Sequence, residues 1–311
     1  AALPGALPAA PHFRNRTFDE VVGEMSKAQK YSVWYILPAL TVFTVLFIVP
    51  MIISVFFSMT VWSFADFRFV GLQNYKMFFE DSQLLQGLGN TLIYAFSTSM
   101  SKVVLALLIS IFLTSNIRLR GALRSVVFFP HLVSNVAIGI TFCALMHPTK
   151  GVFNAVLTSF GLKASKFVYS PNTSLISVIV TDVWKGLSVS TVIYIAGLQA
   201  IDRTYYEAAE IDGASRLQTF WNITLPLVRP AMNTVIILSL IGGLKSFDLI
   251  KTMTDGGPGN SSTVLALTVY RQFANGYYGM STTGNIIMLV MISLISYPLQ
   301  KFLLSREVSQ L

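Results

Sequence analysis

Residues 174–198 read SLISVIVTDVWKGLSVSTVIYIAGL, with Asp182 and Lys185 as the only charges. At about 1.5 Å per residue, about 20 apolar residues cross the roughly 30 Å hydrocarbon core of a bilayer. This stretch is long enough to do so. Its polar residues are not scattered. Ser174, Ser177, Thr181, Lys185 and Ser188 follow one another at intervals of three and four, with Asp182 and Trp184 beside them. Such spacing puts them along one helix face, while Ile176, Val180 and Leu187 fall mainly elsewhere. A polar stripe of this length predicts a membrane helix that lines a cavity.

The same test, moved outward, finds five more spans at 33–58, 90–113, 124–147, 231–250 and 284–304. The bulk composition agrees. Of 311 residues, 12% are Asp, Glu, Lys or Arg against roughly 25% in soluble domains, hydrophobic residues make up 53%, and the mean hydropathy is +0.63. These values exclude a soluble globular protein. The lone cysteine, Cys143, excludes a disulfide framework, and three dispersed histidines suggest no metal site. No G-x-x-x-x-G-K-[ST] phosphate loop occurs. The expected organisation is a tail over 1–32, with a short surface helix at 15–30, and one all-α membrane domain over 33–311. The proline-interrupted first residues read as a disordered or trimmed tail rather than a signal peptide.

Basic residues set the expected orientation. With the N-terminus inside, twelve Lys and Arg lie in inner segments, seven in outer ones, and Lys102, Lys185 and Lys245 within spans. Twelve against seven puts both termini in the cytoplasm. The net charge of +8 is thereby explained without nucleic acid.

One inner connection stands apart: IDRTYYEAAEIDGASRLQTFWNITLPLVRP, residues 201–230. Glu207-Ala208-Ala209-Glu210 favours a helix that Gly213 can end in a left-handed turn. Gln218 to Ile223 can form a second short helix, stopped at Leu225-Pro226. From spacing alone, a solvated helix pair explains the loop equally well. The run EAAEIDGA followed by ITLP, however, resembles the EAA signature of permease subunits of binding-protein-dependent ABC importers, with Glu207, Ala208, Ala209, Gly213, Ile223, Leu225 and Pro226 in matching positions. Three further segments are similar to the carbohydrate branch: Phe69 to Tyr75, Phe128-Phe129-Pro130, and Gly256-Gly257-Pro258 followed by Thr263.

The resemblance implies six transmembrane helices of the type I importer kind, in a bacterial inner membrane. It makes the loop a coupling helix docked on a cytoplasmic ATPase. Glu207, Ala208, Ala209, Ile211, Asp212, Gly213, Ala214, Leu225 and Pro226 are then the coupling residues, with Phe220 and Trp221 as anchors. ATP and Mg would be bound by the ATPase, and no cofactor by this chain. One loop fills one cleft of an ATPase dimer, so a second permease subunit is required. A soluble solute-binding protein is the remaining partner, beside membrane lipid.

Substrate-path candidates are Thr181, Asp182, Trp184, Lys185 and Ser188 in span four, and Asn135 in span three. Span five adds Lys245, Phe247 and Asp248, span six Asn285, and span two Lys102 with the weaker stripe Thr91, Thr98 and Ser101. An oligosaccharide would meet such hydroxyl, amide and charged groups, with an aromatic against a ring face. Asp182 and Lys185 can instead pair with each other, Lys245 can snorkel, and Phe247-Asp248 can serve the scaffold. Three intramembrane lysines lean toward an acidic oligosaccharide, with a neutral sugar or a sugar phosphate as the alternatives. Tyr75, Phe78, Phe79, Phe273, Tyr277 and Tyr278 are candidates for a binding-protein landing surface or for interfacial anchoring. A secondary transporter or channel would not need the EAA loop, and an intramembrane enzyme would need converging catalytic groups that the sequence lacks.

Overall fold

The computed structural model describes residues 33–63, 66–115 and 117–308. The expected tail and its surface helix lie outside them. The chain divides into two units, residues 1–53 and 54–311. In the first, a 3-10 turn at Val33–Tyr35 leads into α1, Leu37–Ser58. Pro38 sits in its first turn, where a missing N–H is harmless. A π-turn at Thr44–Ile48 widens the helix where the Pro50 ring would meet the carbonyl four residues back.

The second unit begins with the end of α1 and a two-stranded antiparallel hairpin, β1 (Thr60–Trp62) with β2 (Phe67–Phe69), in register Thr60 to Phe69. This small ribbon is the one sheet among the described residues of an otherwise helical chain, as expected for the fold class. Helix α2 (Gln73–Glu80) follows, then α3 (Ser82–Thr114), α4 (Arg120–Leu132), α5 (Asn135–Leu145), α6 (Val152–Ser159) and α7 (Ser174–Gln199). After these come α8 (Arg203–Ile211), α9 (Arg216–Leu227), α10 (Arg229–Leu244), α11 (Asp248–Met253), α12 (Leu265–Ala274) and α13 (Tyr278–Val308). Among the described residues four helices are long and apolar enough to cross a membrane, or six if each of two bent pairs counts as one span.

Helix α7 coincides with the expected 174–198 within a residue. The others differ for local reasons. Helix α3 starts eight residues before 90, because the Asp81 carboxylate accepts from the Gln83 N–H at 2.7 Å and the Leu84 N–H at 3.3 Å. The stretch 124–147 is two helices meeting at 100°. Pro130 disrupts the end of α4, and Ser134 caps a new start by accepting from the Ala137 N–H. Span five ends at Leu244 rather than 250, and the chain turns through Lys245 to Phe247 before α11. In the loop, Pro226 stops nothing. It occupies the first turn after a π-turn at Phe220–Thr224, and the bend of 65° falls at Val228.

Helices α3 and α7 form the central pair, with α10 on both, α4 on α7, α5 on α11 and α12 on α13. Apolar contact gives little association energy where lipid is the alternative, so polar bonds and small residues fix these crossings. The Ser99 and Ser239 hydroxyls join α3 to α10 at 2.8 Å. The motif around residues 69–75 is a clamp. Asn74 Nδ2 donates to the carbonyls of Ser58 (2.9 Å) and Thr60 (2.8 Å), and Thr283 Oγ1 donates to the same Ser58 carbonyl. The end of α1 is thereby satisfied by side chains.

Candidate functional site

The two breaks in the long helices come together. Asn135 is the first residue of α5, Asp248 the first of α11, and Lys185 stands midway along α7. Asn135 uses both ends of its amide. Its Nδ2 donates to Asp248 Oδ2 at 3.0 Å, and its Oδ1 accepts from Lys185 Nζ, which also donates to the Val133 carbonyl at 2.8 Å. The ammonium answers a carbonyl left over where α4 ends, and the carboxylate sits at a positive helix start. One lysine, one amide and one carboxylate therefore tie three elements at the interruption. Irregular backbone at membrane depth is stable only where protein or a water-filled cavity satisfies it. Trp184 stands beside this group, 42% exposed, its ring 5.1 Å from that of Phe142.

Asp182 does not pair with Lys185, three residues on. It takes the Lys102 ammonium of α3 at 2.6 Å, the lysine side chain 9% and the aspartate 18% exposed. Gly186 makes the room: a Cβ there would lie 2.3 Å from Lys102 Cε. Tyr94, wholly buried, lies against Asp182 and accepts from Ser246 at 3.2 Å. Sequence reading missed Tyr94, although it continues the Thr91, Thr98, Lys102 stripe at helical spacing.

The remaining candidates separate. Thr181 and Ser188 are fully buried, bonded to the Ser177 and Val127 carbonyls, and Ser174 meets Ser261 at 2.8 Å. Most of the stripe on α7 thus packs inside the chain, and of its five members only Lys185 stays partly open. Thr91 and Thr98 are buried likewise, Thr91 accepting from the Leu265 N–H. Lys245 is exposed, with no ion pair among the described residues. Phe247 and Asn285 line a different groove of about 260 Å³ with Tyr270 and Phe273. Of the outer aromatics, Phe78 is buried, Tyr75 is half-buried with its hydroxyl bonded to Ser58, and Phe79, Phe273 and Tyr277 are exposed. No group of three or more His, Cys, Asp or Glu suited to a metal occurs among the described residues.

In the loop, Asp202 caps α8 by accepting from the Thr204 N–H and hydroxyl, which hold its carboxyl below the usual value. Gly213 (φ +72°) ends the helix, the Ala214 N–H donating to the Ala209 carbonyl and the Gly213 N–H to that of Glu210. Ser215 and Gln218 cap α9 reciprocally. Ala209 is buried against its own chain, whereas Ala208 is exposed. Glu207 pairs within the helix with Arg203 at 3.0 Å. Phe220 packs inward, while Ile211 is 87% and Trp221 58% exposed.

A bundle with two interrupted helices tied at mid-span, and a capped amphipathic loop outside it, defines an integral membrane protein of the transporter kind. Residues 102–308 match the family described as binding-protein-dependent transport system inner membrane component, and the chain belongs to that family. It is 32% identical over 277 residues to the multiple sugar-binding transport system permease protein MsmF of Streptococcus mutans, covering 86% of this chain and 93% of that one. It is also 32% identical over 259 residues to the trehalose/maltose transport system permease protein MalF of Thermococcus litoralis (83% and 88%). In fold it is similar to a bacterial ABC transporter involved in the import of the acidic polysaccharide alginate, with TM-score 0.75, 24% identity, and coverage of 91% and 98%. The chain is a permease subunit, and ATP hydrolysis resides on separate subunits.

Proposed function

We propose that this permease moves an oligosaccharide from a solute-binding protein into the cytoplasm, working beside a second permease subunit on an ATPase dimer. The observation that carries the substrate class is the identity above 30%, over most of the chain, to permeases named for sugars. The group at the helix breaks suits such a substrate, since Trp184 offers a ring face and Asn135, Lys185 and Asp248 offer donors and acceptors. Both termini lie in the cytoplasm in this reading, and residues 201–230 are the coupling loop. Exposed Ile211, Ala208 and Trp221 meet the ATPase there, and Gly213 fixes the turn between the two helices.

The charge balance favours a neutral sugar. Lys102 is neutralised by Asp182, and Lys185 is joined through Asn135 to Asp248. Of the three span lysines only Lys245 is left to attract an anion. The test is ATPase activity of the whole assembly in nanodiscs, with its binding protein, across neutral and acidic oligosaccharides. Stimulation by neutral oligosaccharides is expected. Stimulation by acidic ones alone would reverse the charge assignment, and stimulation by neither would remove the substrate class.

A further inference from the structure

A groove of about 420 Å³ runs between α4, α7 and the end of α3, lined by Leu113, Val127, Phe128, Thr191 and Ile195, with Arg124 at one end. Its volume is that of a small-molecule site, and its walls expose mainly apolar surface, with Ser125, Ser188 and Thr191 among them. Two features set it apart. Arg124 and Arg120 lie one turn apart on α4, and neither has an ion pair among the described residues. Their neighbours are neutral: Arg124 Nη2 donates to the Leu113 carbonyl at 3.4 Å, and the Gln199 amide, turned with its oxygen inward, accepts from Arg120 at 3.0 Å and Arg124 at 3.2 Å. The Nε atoms of both guanidiniums are buried with no acceptor, as is the hydroxyl of Thr191, itself 1% exposed and on the groove wall.

Two guanidiniums held by neutral groups at the end of a membrane helix form a fork that a phosphodiester answers bidentately. An apolar slot continuing from them along the spans takes an acyl chain. We infer that this groove binds an anionic phospholipid, its phosphate on Arg120 and Arg124 and one chain against Phe128, Val127 and Ile195. Charge complementarity selects this occupant over a neutral lipid. The site requires only that the chain lies in a bilayer, so it stands whether or not the substrate is a sugar.

The test uses the assembled transporter in phosphatidylcholine nanodiscs with or without phosphatidylglycerol, read by thermal unfolding and by native mass spectrometry of retained lipid. Phosphatidylglycerol should raise the unfolding midpoint and remain bound. The double change Arg120→Gln, Arg124→Gln should remove that increment, measured against the same variant in phosphatidylcholine alone, whatever the loss of the Leu113 and Gln199 bonds does to the midpoint there. Val192→Trp, which fills the slot from its exposed edge and leaves the guanidiniums alone, should reduce retained phosphatidylglycerol several-fold. Equal increments in wild type and the arginine variant would overturn the site. So would an equal increment from inorganic phosphate, or crosslinking of Val192→Cys to a second permease copy.

Discussion

The tied helix breaks and the 202–227 loop are both polar interruptions in an apolar chain, and they are finished differently. At the breaks the chain supplies its own partners: Lys102 has Asp182, and Asn135 joins Lys185 to Asp248. In the loop the caps are internal, but Ile211, Leu217 and Trp221 stand in the open. Apart from Lys245, the charges of the first region are answered within the single chain among the described residues, and the apolar surface of the second is not. Desolvation accounts for the difference, because an unpaired charge at membrane depth is costly and an exposed apolar side chain in water is merely unrewarded.

Removing one member of the buried pair should have the largest effect. Asp182→Asn leaves the Lys102 ammonium uncompensated, and breaking such a pair costs about 3–5 kcal/mol. The assembly should unfold at lower temperature, and Lys102→Met with Asp182→Leu should recover most of the loss. Gly186→Ala should act in the same direction through Lys102, and should have little effect once Lys102 is Met. An unchanged midpoint in Asp182→Asn, or no recovery in the double variant, would mean that the pair is incidental.

Asn135→Leu comes next. It removes the link between Lys185, which keeps the Val133 carbonyl, and Asp248, which is exposed, at about 0.5–1.5 kcal/mol for the net loss of a hydrogen bond. Because both ends stay partly open to solvent, uptake should fall well before folding does. Transport at the wild-type rate would make the amide a bystander.

The α7 stripe shows how far sequence alone reached. Its period was legible because helix geometry fixes which residues share a face, and the helix itself needed no correction. Which side that face meets was not legible. Ser174, Thr181 and Ser188 turn inward on to neighbours contributed by residues as distant as Ser261. The partner of Asp182 was hidden for the same reason, since Lys102 lies eighty positions away and Lys185 only three. The breaks at 133–134 and 245–247 were masked by the high mean hydropathy of the stretches around them, although Pro130 before Ser134-Asn135 and Gly242-Gly243 before Lys245-Ser246 were signals. In the loop, Gly213 was legible because a left-handed turn is a local requirement. The inward packing of Ala209 was not.

Gly213→Val tests the loop's own geometry. Nothing lies within 4 Å of where a Cβ would stand, so the penalty is purely backbone, about 1–2 kcal/mol for a left-handed L-residue. Insertion and assembly should survive, while stimulated ATPase activity and uptake are lost together. Gly213→Asn, which tolerates that conformation, should be much milder. Full uptake in the valine variant would remove this turn from the coupling reading.

The smallest effect belongs to the cap of the same helix. Asp202 is fully exposed, and its carboxyl is held low by the Thr204 N–H first and the Thr204 hydroxyl second. A depressed folded value means that the ionised form favours the helix. Its contribution is complete above the ordinary aspartate range near about 3.9 and disappears as pH falls through the lowered folded value. Amides at the start of α8 should therefore exchange hydrogen slowly at neutral pH and open only in stronger acid than an ordinary aspartate would need. Asp202→Ala should speed that exchange at neutral pH. Asp202→Asn should keep much of the protection, because an amide oxygen still caps, but lose the acid dependence. If Asp202→Asn opened with the same acid profile as wild type, the profile would belong to another group, and the acid dependence would no longer report on the Asp202 cap.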